Sequence, residues 1–277
     1  MASRKPSKQS QAVVTGAGSG IGRAFALELA RRGGSVLCAD INLASAKETV
    51  ALIAAQGGKA WPAKCDVGVL SQVESLATSA EKHFGSPATL IINNAGIGIG
   101  GKSIGEVSME DWKFTMDVNL WGVIHGCHVF APILRAQGTG GIINVGSTAS
   151  FAAAPTMGPY NVTKAAVLAL TETLSAEMSG TGIHVTALCP TFVKTNIVKD
   201  GRISGGSADF AAKLIAKTGV SPESVVLKTL NALDRNQLYV VPQLEAKAVW
   251  AAKRLTPALY TRGAGLLNRL FLKKVAG

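Results

Sequence analysis

Short runs of β-branched and apolar residues alternate with longer helix-like segments through the first two-thirds of this 277-residue chain, and that alternation constrains the fold most. It is the pattern of βαβ units, in which each strand leads into a helix that crosses over to a parallel neighbour. Candidate strands are Ala12 to Thr15, Ser35 to Asp40, Lys59 to Asp66, Thr89 to Asn93, Gly140 to Gly146, Ile183 to Cys189 and Leu238 to Val241. Helix-like segments fall near 21–32, 43–56, 69–84, 109–136 and 160–179, most followed by a glycine where a C-cap would place it. The pattern predicts an α/β fold with a doubly wound, seven-stranded parallel sheet flanked by helices, in one domain over residues 11–245.

A hydrophobic content of 47% supports a large core. The formal charge of +11 raises a nucleic-acid reading, so its distribution matters more than its size. Arg4, Lys5 and Lys8 stand in residues 1–10, and Lys247, Lys253, Arg254, Arg262, Arg269, Lys273 and Lys274 stand in 246–277 with no acid. Taking those ten from the 28 basic residues leaves 18 against 17 acidic ones in 11–245, a nearly neutral body. The ends therefore read as a flexible basic N-terminus and a basic C-terminal helical extension, and no nucleic-acid partner is expected. Cys38, Cys65, Cys127 and Cys189 lack the short pair spacing of a metal or redox site, so no metal is expected. They read as buried thiols in a reducing cytoplasm, and no 18-residue apolar span suggests a membrane crossing.

The run Thr15-Gly16-Ala17-Gly18-Ser19-Gly20-Ile21-Gly22 leaves the first strand and opens a helix. In that setting glycines let the backbone approach a pyrophosphate at the positive end of a helix. The spacing Thr-Gly, three residues, Gly, one residue, Gly resembles the cofactor loop of the short-chain dehydrogenase/reductase family, whose fold is Rossmann-like. Asp40 closes the second strand, where a carboxylate can accept hydrogen bonds from the adenosine ribose hydroxyls and repel a 2′-phosphate. Ala17, Ile41 and Asn42 supply no cation for such a phosphate, so NAD is expected and NADP disfavoured. The resemblance extends to Asp66 and Val67 against adenine and to Asn93, Ala95 and Gly96 after the fourth strand. It places Ser19, Gly20, Ile21, Pro190, Val193 and Thr195 at the cofactor as well.

Tyr160 and Lys164 stand four residues apart at the start of a helical segment, which puts both side chains on one helix face. A phenol is a poor base near neutrality, and a neighbouring ammonium favours its ionised form. Ser147 ends a strand thirteen residues earlier, placed to hydrogen-bond a reacting oxygen. Asn119, in Asp117-Val118-Asn119, completes the family's tetrad, and the resemblance implies that it holds a water linking Lys164 to solvent. The family's activity is hydride transfer between nicotinamide C4 and an alcohol or ketone, with Tyr160 as base or acid and Lys164 also holding the nicotinamide ribose. Thr191 departs from the family, which usually has glycine there.

Residues 194–236 break the alternation with Gly205, Gly206 and polar sequence, and read as a substrate lid at the carboxyl ends of the strands. Phe151, Ala152, Ala153, Pro155, Met157, Phe192, Val193 and Ile197 surround the expected pocket and suit a hydrophobic secondary alcohol or its ketone. Two alternatives stay open: a 3-oxoacyl thioester reductase of the same family, which Asp40 disfavours, and a non-catalytic NAD(H)-sensing protein, which would not need an intact Tyr-Lys-Ser set. The family forms dimers or tetramers. Leu259, Leu266 and Leu270 form a stripe flanked by Arg262, Arg269 and Lys273, compatible with a subunit interface or with weak membrane-surface contact.

Overall fold

The computed structural model describes residues 5–195, 197, 201–203 and 206–276. The chain runs β1 (Gln11–Thr15), α1 (Gly20–Arg31), β2 (Ser35–Asp40), α2 (Leu43–Ala55), β3 (Lys59–Lys64), α3 (Leu70–Phe84), β4 (Leu90–Asn93), β5 (Ile99–Gly100) and α4 (Met109–Met116). A π-helical turn over Asp117–Trp121 leads into α5 (Gly122–Gln137), then β6 (Gly140–Val145), α6 (Ala149–Ala152), α7 (Gly158–Glu177), β7 (Ile183–Leu188) and β8 (Arg202–Ile203). The chain continues with α8 (Gly206–Thr218), α9 (Pro222–Leu233), β9 (Tyr239–Val240), α10 (Leu244–Leu255) and α11 (Pro257–Ala276).

Seven strands form one parallel sheet in the order β3-β2-β1-β4-β6-β7-β9, the doubly wound arrangement expected from the alternation. Every expected strand is present, with its ends within two residues. Strands covered on both faces need apolar residues at successive positions. Ile91 and Ile92 on β4, and Ile142 and Ile143 on β6, are fully buried on opposite faces. One face packs on α1 and α9 through Phe25, Leu29, Val226 and Leu230, the other on α3, α5 and α7 through Leu76, Phe130 and Val167. Each fully buried side chain of this size contributes about 2 kcal/mol of transfer free energy. Pro62 lies in β3, an edge strand, where its missing N–H costs no ladder bond.

Helix ends follow their local chemistry. Gly85 and Gly138 close α3 and α5 in the left-handed region, at φ 74° and 64°. Asn42 caps α2, its side chain accepting from the backbone N–H groups of Ala44 and Ser45. The single helix expected over 109–136 is instead two helices joined by the π-helical turn, whose extra residue per turn swings Asn119 inward.

Two expectations about segments change. Part of the segment expected as a lid, 194–236, belongs to the core: α9 buries Val225, Val226, Leu230 and Leu233 beside α1. What remains near the strand ends is β8, paired with β5, and α8; residues 196, 198–200, 204 and 205 of that expectation lie outside the described residues. The N-terminal segment is not a free tail from Lys5 onward. Ser7 is fully buried, its N–H and hydroxyl donating to the Asp234 carboxylate at 3.0 and 2.7 Å. Arg32, itself buried, donates to Ser7 Oγ at 2.6 Å and to Asn231 Oδ1 at 2.9 Å, and pairs with Glu28 and Asp234. This cluster clips the chain start to α1 and to the end of α9. Residues 1–4 of the expected tail lie outside the described residues.

Removing one partner of a buried ion pair leaves the other charged and unpaired, at a cost of about 3 kcal/mol. Asp234→Ala is therefore expected to lower unfolding stability by about that amount in a denaturant titration, with Asp234→Asn losing less because it can still accept from Ser7.

Candidate active site

The carboxyl ends of β1, β4, β6 and β7 converge on one crevice, where the chain order of the sheet reverses between β1 and β4. The loop after β1 sits there under tight constraint. Gly16 and Gly20 adopt φ of 63° and 51°, and a Cβ on Gly16 would lie 2.8 Å from Asn94 Nδ2 and 2.9 Å from Ala95 Cα. A Cβ on Gly22 would run into the Gly16 carbonyl oxygen, so α1 can approach the loop only with glycine there. Ser19 is the N-cap of α1, but its hydroxyl makes no capping bond. The first-turn N–H groups, which by geometry have no intrahelical acceptor, thus remain available to an anion. Ile21, next in the turn, packs its side chain partly into the core.

Asp40 reaches over this loop from the end of β2. Its Oδ2 accepts from Gly18 N–H at 2.8 Å and its Oδ1 from Asn42 N–H at 2.9 Å, which fixes the carboxylate and leaves lone pairs for further donors. Arg23 lies near the same loop, donating to the Gly18 carbonyl, to Thr49 Oγ1 at 3.0 Å and to Glu48 at 3.0 Å. Thr195 stands over Gly20, close enough that a Cβ there would meet its methyl at 2.9 Å. Asp66 accepts from Gly68 N–H at 2.9 Å, and Val67 packs against Gly122.

The four candidate reaction residues come together beside this loop. Lys164 is buried and donates to the Val145 carbonyl at 2.9 Å, with its Nζ 5.8 Å from the centre of the Tyr160 ring. Asn119 Oδ1 accepts from Ile97 N–H at 2.8 Å, and its Nδ2 donates to the Ile97 carbonyl at 2.9 Å. Gly96 separates the two groups: a Cβ there would stand 3.1 Å from Asn119 Oδ1 and 3.4 Å from Lys164 Nζ. Ser147 is held at the end of β6, its hydroxyl accepting from Ala149 N–H at 3.2 Å and facing the Pro190 carbonyl at 3.5 Å.

Burial acts on both members of the Tyr-Lys pair, and in each case against charge. It pushes the Tyr160 phenol above its ordinary value, while the Ser147 hydrogen bond draws it back down. It pushes the Lys164 ammonium down to about 8.

One sequence-expected residue turns away from the crevice. Asn93 points its side chain away from the crevice and under α5, donating to Asn144 Oδ1 at 2.8 Å across the β4–β6 register. It shares parity on β4 with Ile91, so strand alternation carries both to the α5 side. The residue that reaches the loop is Asn94, whose Nδ2 donates to the Thr15 carbonyl at 2.9 Å and whose N–H donates to Thr15 Oγ1 at 3.0 Å. The same alternation rule could have picked it out. Ala95 N–H joins it on Thr15 Oγ1 at 3.1 Å. Val193 is buried in the core, and Pro190 offers its carbonyl to Thr148 N–H at 2.8 Å. Thr191, where the family has glycine, donates to Glu245 Oε1 of α10 at 3.0 Å.

A cleft of about 270 Å³ opens beside the start of α7. Ile99, Val107, Pro159 and Ile203 give it an apolar lining, while Lys102, Asp111 and Arg202 stand in its wall. Arg202 is engaged, pairing with Asp111 at 2.8 Å and Glu110 at 3.2 Å and lying 4.3 Å over the Phe114 ring. Phe151, expected at the pocket, stacks instead on Trp250 of α10 at 5.7 Å. Asp111, the acid of this wall, offsets one of its two cations, Lys102 and Arg202.

Residues 10–203 match the short chain dehydrogenase family. The chain is 35% identical over 257 residues to the Mycobacterium tuberculosis protein named "Probable oxidoreductase EphD", covering 88% of this chain and 43% of that protein. The chain thus spans less than half the length of that relative. It is 36% identical over 189 residues to the cyclohexanol dehydrogenase of Acinetobacter sp., covering 68% of this chain and 75% of that one. Its fold is similar to a Burkholderia phymatum short chain dehydrogenase/reductase in complex with NAD, with TM-score 0.86, 31% identity and coverage of 92% and 96% of the two chains. A Sphingobium yanoikuyae short-chain dehydrogenase in complex with NADPH gives TM-score 0.75 at 26% identity, covering 93% and 94%.

Burial raises the thiol pKa of Cys38, Cys65 and Cys189 to about 12 and that of Cys127 to about 11. A thiol this far above a mildly alkaline buffer is thiolate in roughly one molecule in a thousand or fewer. The native protein is expected to give almost no reaction with Ellman's reagent, and four equivalents once denatured.

Proposed function

The chain belongs to the short-chain dehydrogenase/reductase family of oxidoreductases, and from that premise we propose that it interconverts a hydrophobic secondary alcohol and its ketone with NAD. The observation that carries this reading is the buried Tyr160–Lys164 pair, joined to Ser147 and set beside the glycine loop. The residues fit a dinucleotide: glycines whose added Cβ atoms would collide, uncapped N–H groups at the start of α1, and a fixed carboxylate at Asp40.

When bound, NAD supplies a hydride acceptor and a positively charged ring. Tyr160 accepts the alcohol proton through its phenol oxygen, and returns it in the reverse direction. Ser147 lowers the cost of ionising Tyr160 and holds the reacting oxygen. Lys164, fixed by the Val145 carbonyl, places a cation at the phenol face and holds the nicotinamide ribose. Asn119 keeps the Ile97 backbone in place beneath it, and a water carried there relays the proton. The loop residues Gly16, Ser19, Gly20, Ile21 and Gly22 cradle the pyrophosphate, with Thr195 closing over them; Asp66, Val67, Ala95 and Gly96 line the adenosine and ribose side.

NAD is preferred on two grounds. Asp40 stands where a 2′-phosphate would be repelled, and the nearby Arg23 guanidinium is already engaged by Glu48 and the Gly18 carbonyl. The apolar lining of Ile99, Val107, Pro159 and Ile203, with Arg202 already paired to Asp111, favours a hydrophobic substrate, and the similarity to a cyclohexanol dehydrogenase supports an alicyclic or comparable alcohol. We read the protein as a cytoplasmic homodimer or homotetramer, a reading supported by the family's habit and by cysteines left as free thiols.

In an assay of NADH formation over a panel of hydrophobic secondary alcohols, Tyr160→Phe is expected to lower kcat at least about a hundredfold while NAD binding persists. Retained turnover in that variant would overturn the assignment. Asp40→Ala is expected to shift the ratio of kcat/KM for NAD over NADP towards NADP by about tenfold or more; an unchanged ratio would remove Asp40 from cofactor choice.

A further inference from the structure

We infer that the C-terminal helix pair docks this protein on an anionic lipid surface. α11 packs chiefly on α10, where Lys253 donates to Thr261 Oγ1 at 3.2 Å and lies 5.4 Å over the Tyr260 ring. The side that α11 turns towards the body carries Tyr260 under Lys253 and is otherwise small and polar, with Ala264, Gly265 and Asn268 half-buried. Four of its leucines face outward, with Leu259 67%, Leu266 60%, Leu267 69% and Leu270 53% exposed. A helix that serves the core of its own fold does the reverse, turning leucines in and polar residues out.

The charge on this surface selects the occupant. Residues 246–277 carry seven cations and no acid. A second copy laid symmetrically over the same face would bring these cations against themselves, and Glu245, the one acid of the helix pair, is already engaged by Thr191. Anionic headgroups neutralise them while the leucine stripe enters the headgroup–acyl boundary. Arg262 and Arg269 are seven residues apart and fall on one flank of that stripe, from which long side chains lie along the apolar zone and carry their charge to the headgroups. Among the described residues no helix is long and apolar enough to cross a membrane, so the helix lies in the interface. The inference uses none of the crevice residues and stands apart from the reaction proposed above.

The test is flotation of the full chain with vesicles of phosphatidylcholine alone and of phosphatidylcholine with phosphatidylserine. The wild type is expected to float with the phosphatidylserine vesicles, to be released by high salt, and to stay behind with phosphatidylcholine alone. Arg262→Gln with Arg269→Gln is expected to weaken binding by about twenty-five-fold, roughly fivefold per cation. Leu266→Ala with Leu270→Ala should also lower the bound fraction, with the thermal melt of both double variants unchanged because these side chains touch solvent. No flotation, or equal flotation with both vesicle types, overturns the proposal. Self-association by light scattering that the leucine variants abolish, with no flotation, assigns the face to a second copy instead.

Discussion

The hydrogen bonds that tie the end of β4 to the turn after β1 hold the crevice in place. β1 and β4 are neighbours in the sheet, although β2 and β3 intervene in the chain, so the crossovers on either side leave in opposite directions and a gap opens at their carboxyl ends. Thr15 and Asn94 close the base of that gap by bonding each other's backbone and side chains. The turn is held from the other side by Ala17 N–H on the Ala39 carbonyl at 3.0 Å and by Thr49 Oγ1 on the Ala17 carbonyl at 2.8 Å. With the loop fixed on both flanks, the start of α1 and the Asp40 carboxylate keep fixed positions relative to the strand ends.

The Tyr160 side of the crevice depends on a different device. α7 brings Tyr160 and Lys164 to one face, but Lys164 is buried and must find an acceptor, which the Val145 carbonyl at the end of β6 provides. The π-helical turn before α5 then brings Asn119 against the Ile97 backbone, across Gly96 from the lysine. Burial works against charge on both Tyr160 and Lys164, and the Ser147 hydrogen bond is the contact on the protein side that favours the phenolate.

The two ends of the chain carry the excess positive charge but are used differently. The N-terminal segment is drawn into a buried cluster with Arg32, Asp234 and Asn231, where each charged group has several partners. The C-terminal helices remain largely outside the core. Through Thr191–Glu245 and the Phe151–Trp250 stack, α10 nevertheless braces the loop after β7 and the short helix after Ser147. That contact gives Thr191 a structural role at a position where the family has glycine.

The sequence by itself determined the strand and helix alternation, the glycine loop and the spacing of Tyr160 and Lys164, because these follow from periodicity and from backbone conformations open to few residue types. It also placed Asp40 and Ser147 at strand ends. It did not reveal that Asn93 belongs to the α5 side and Asn94 to the loop, since two adjacent asparagines look alike until a strand's facing is known. Nor did it show that α9 is core rather than lid, that residues from Lys5 onward are pinned to Asp234, or that Arg202 meets Asp111 across 91 positions of chain. Those facts depend on contacts between elements far apart in sequence, and local propensity carries no record of which distant partner a side chain will meet.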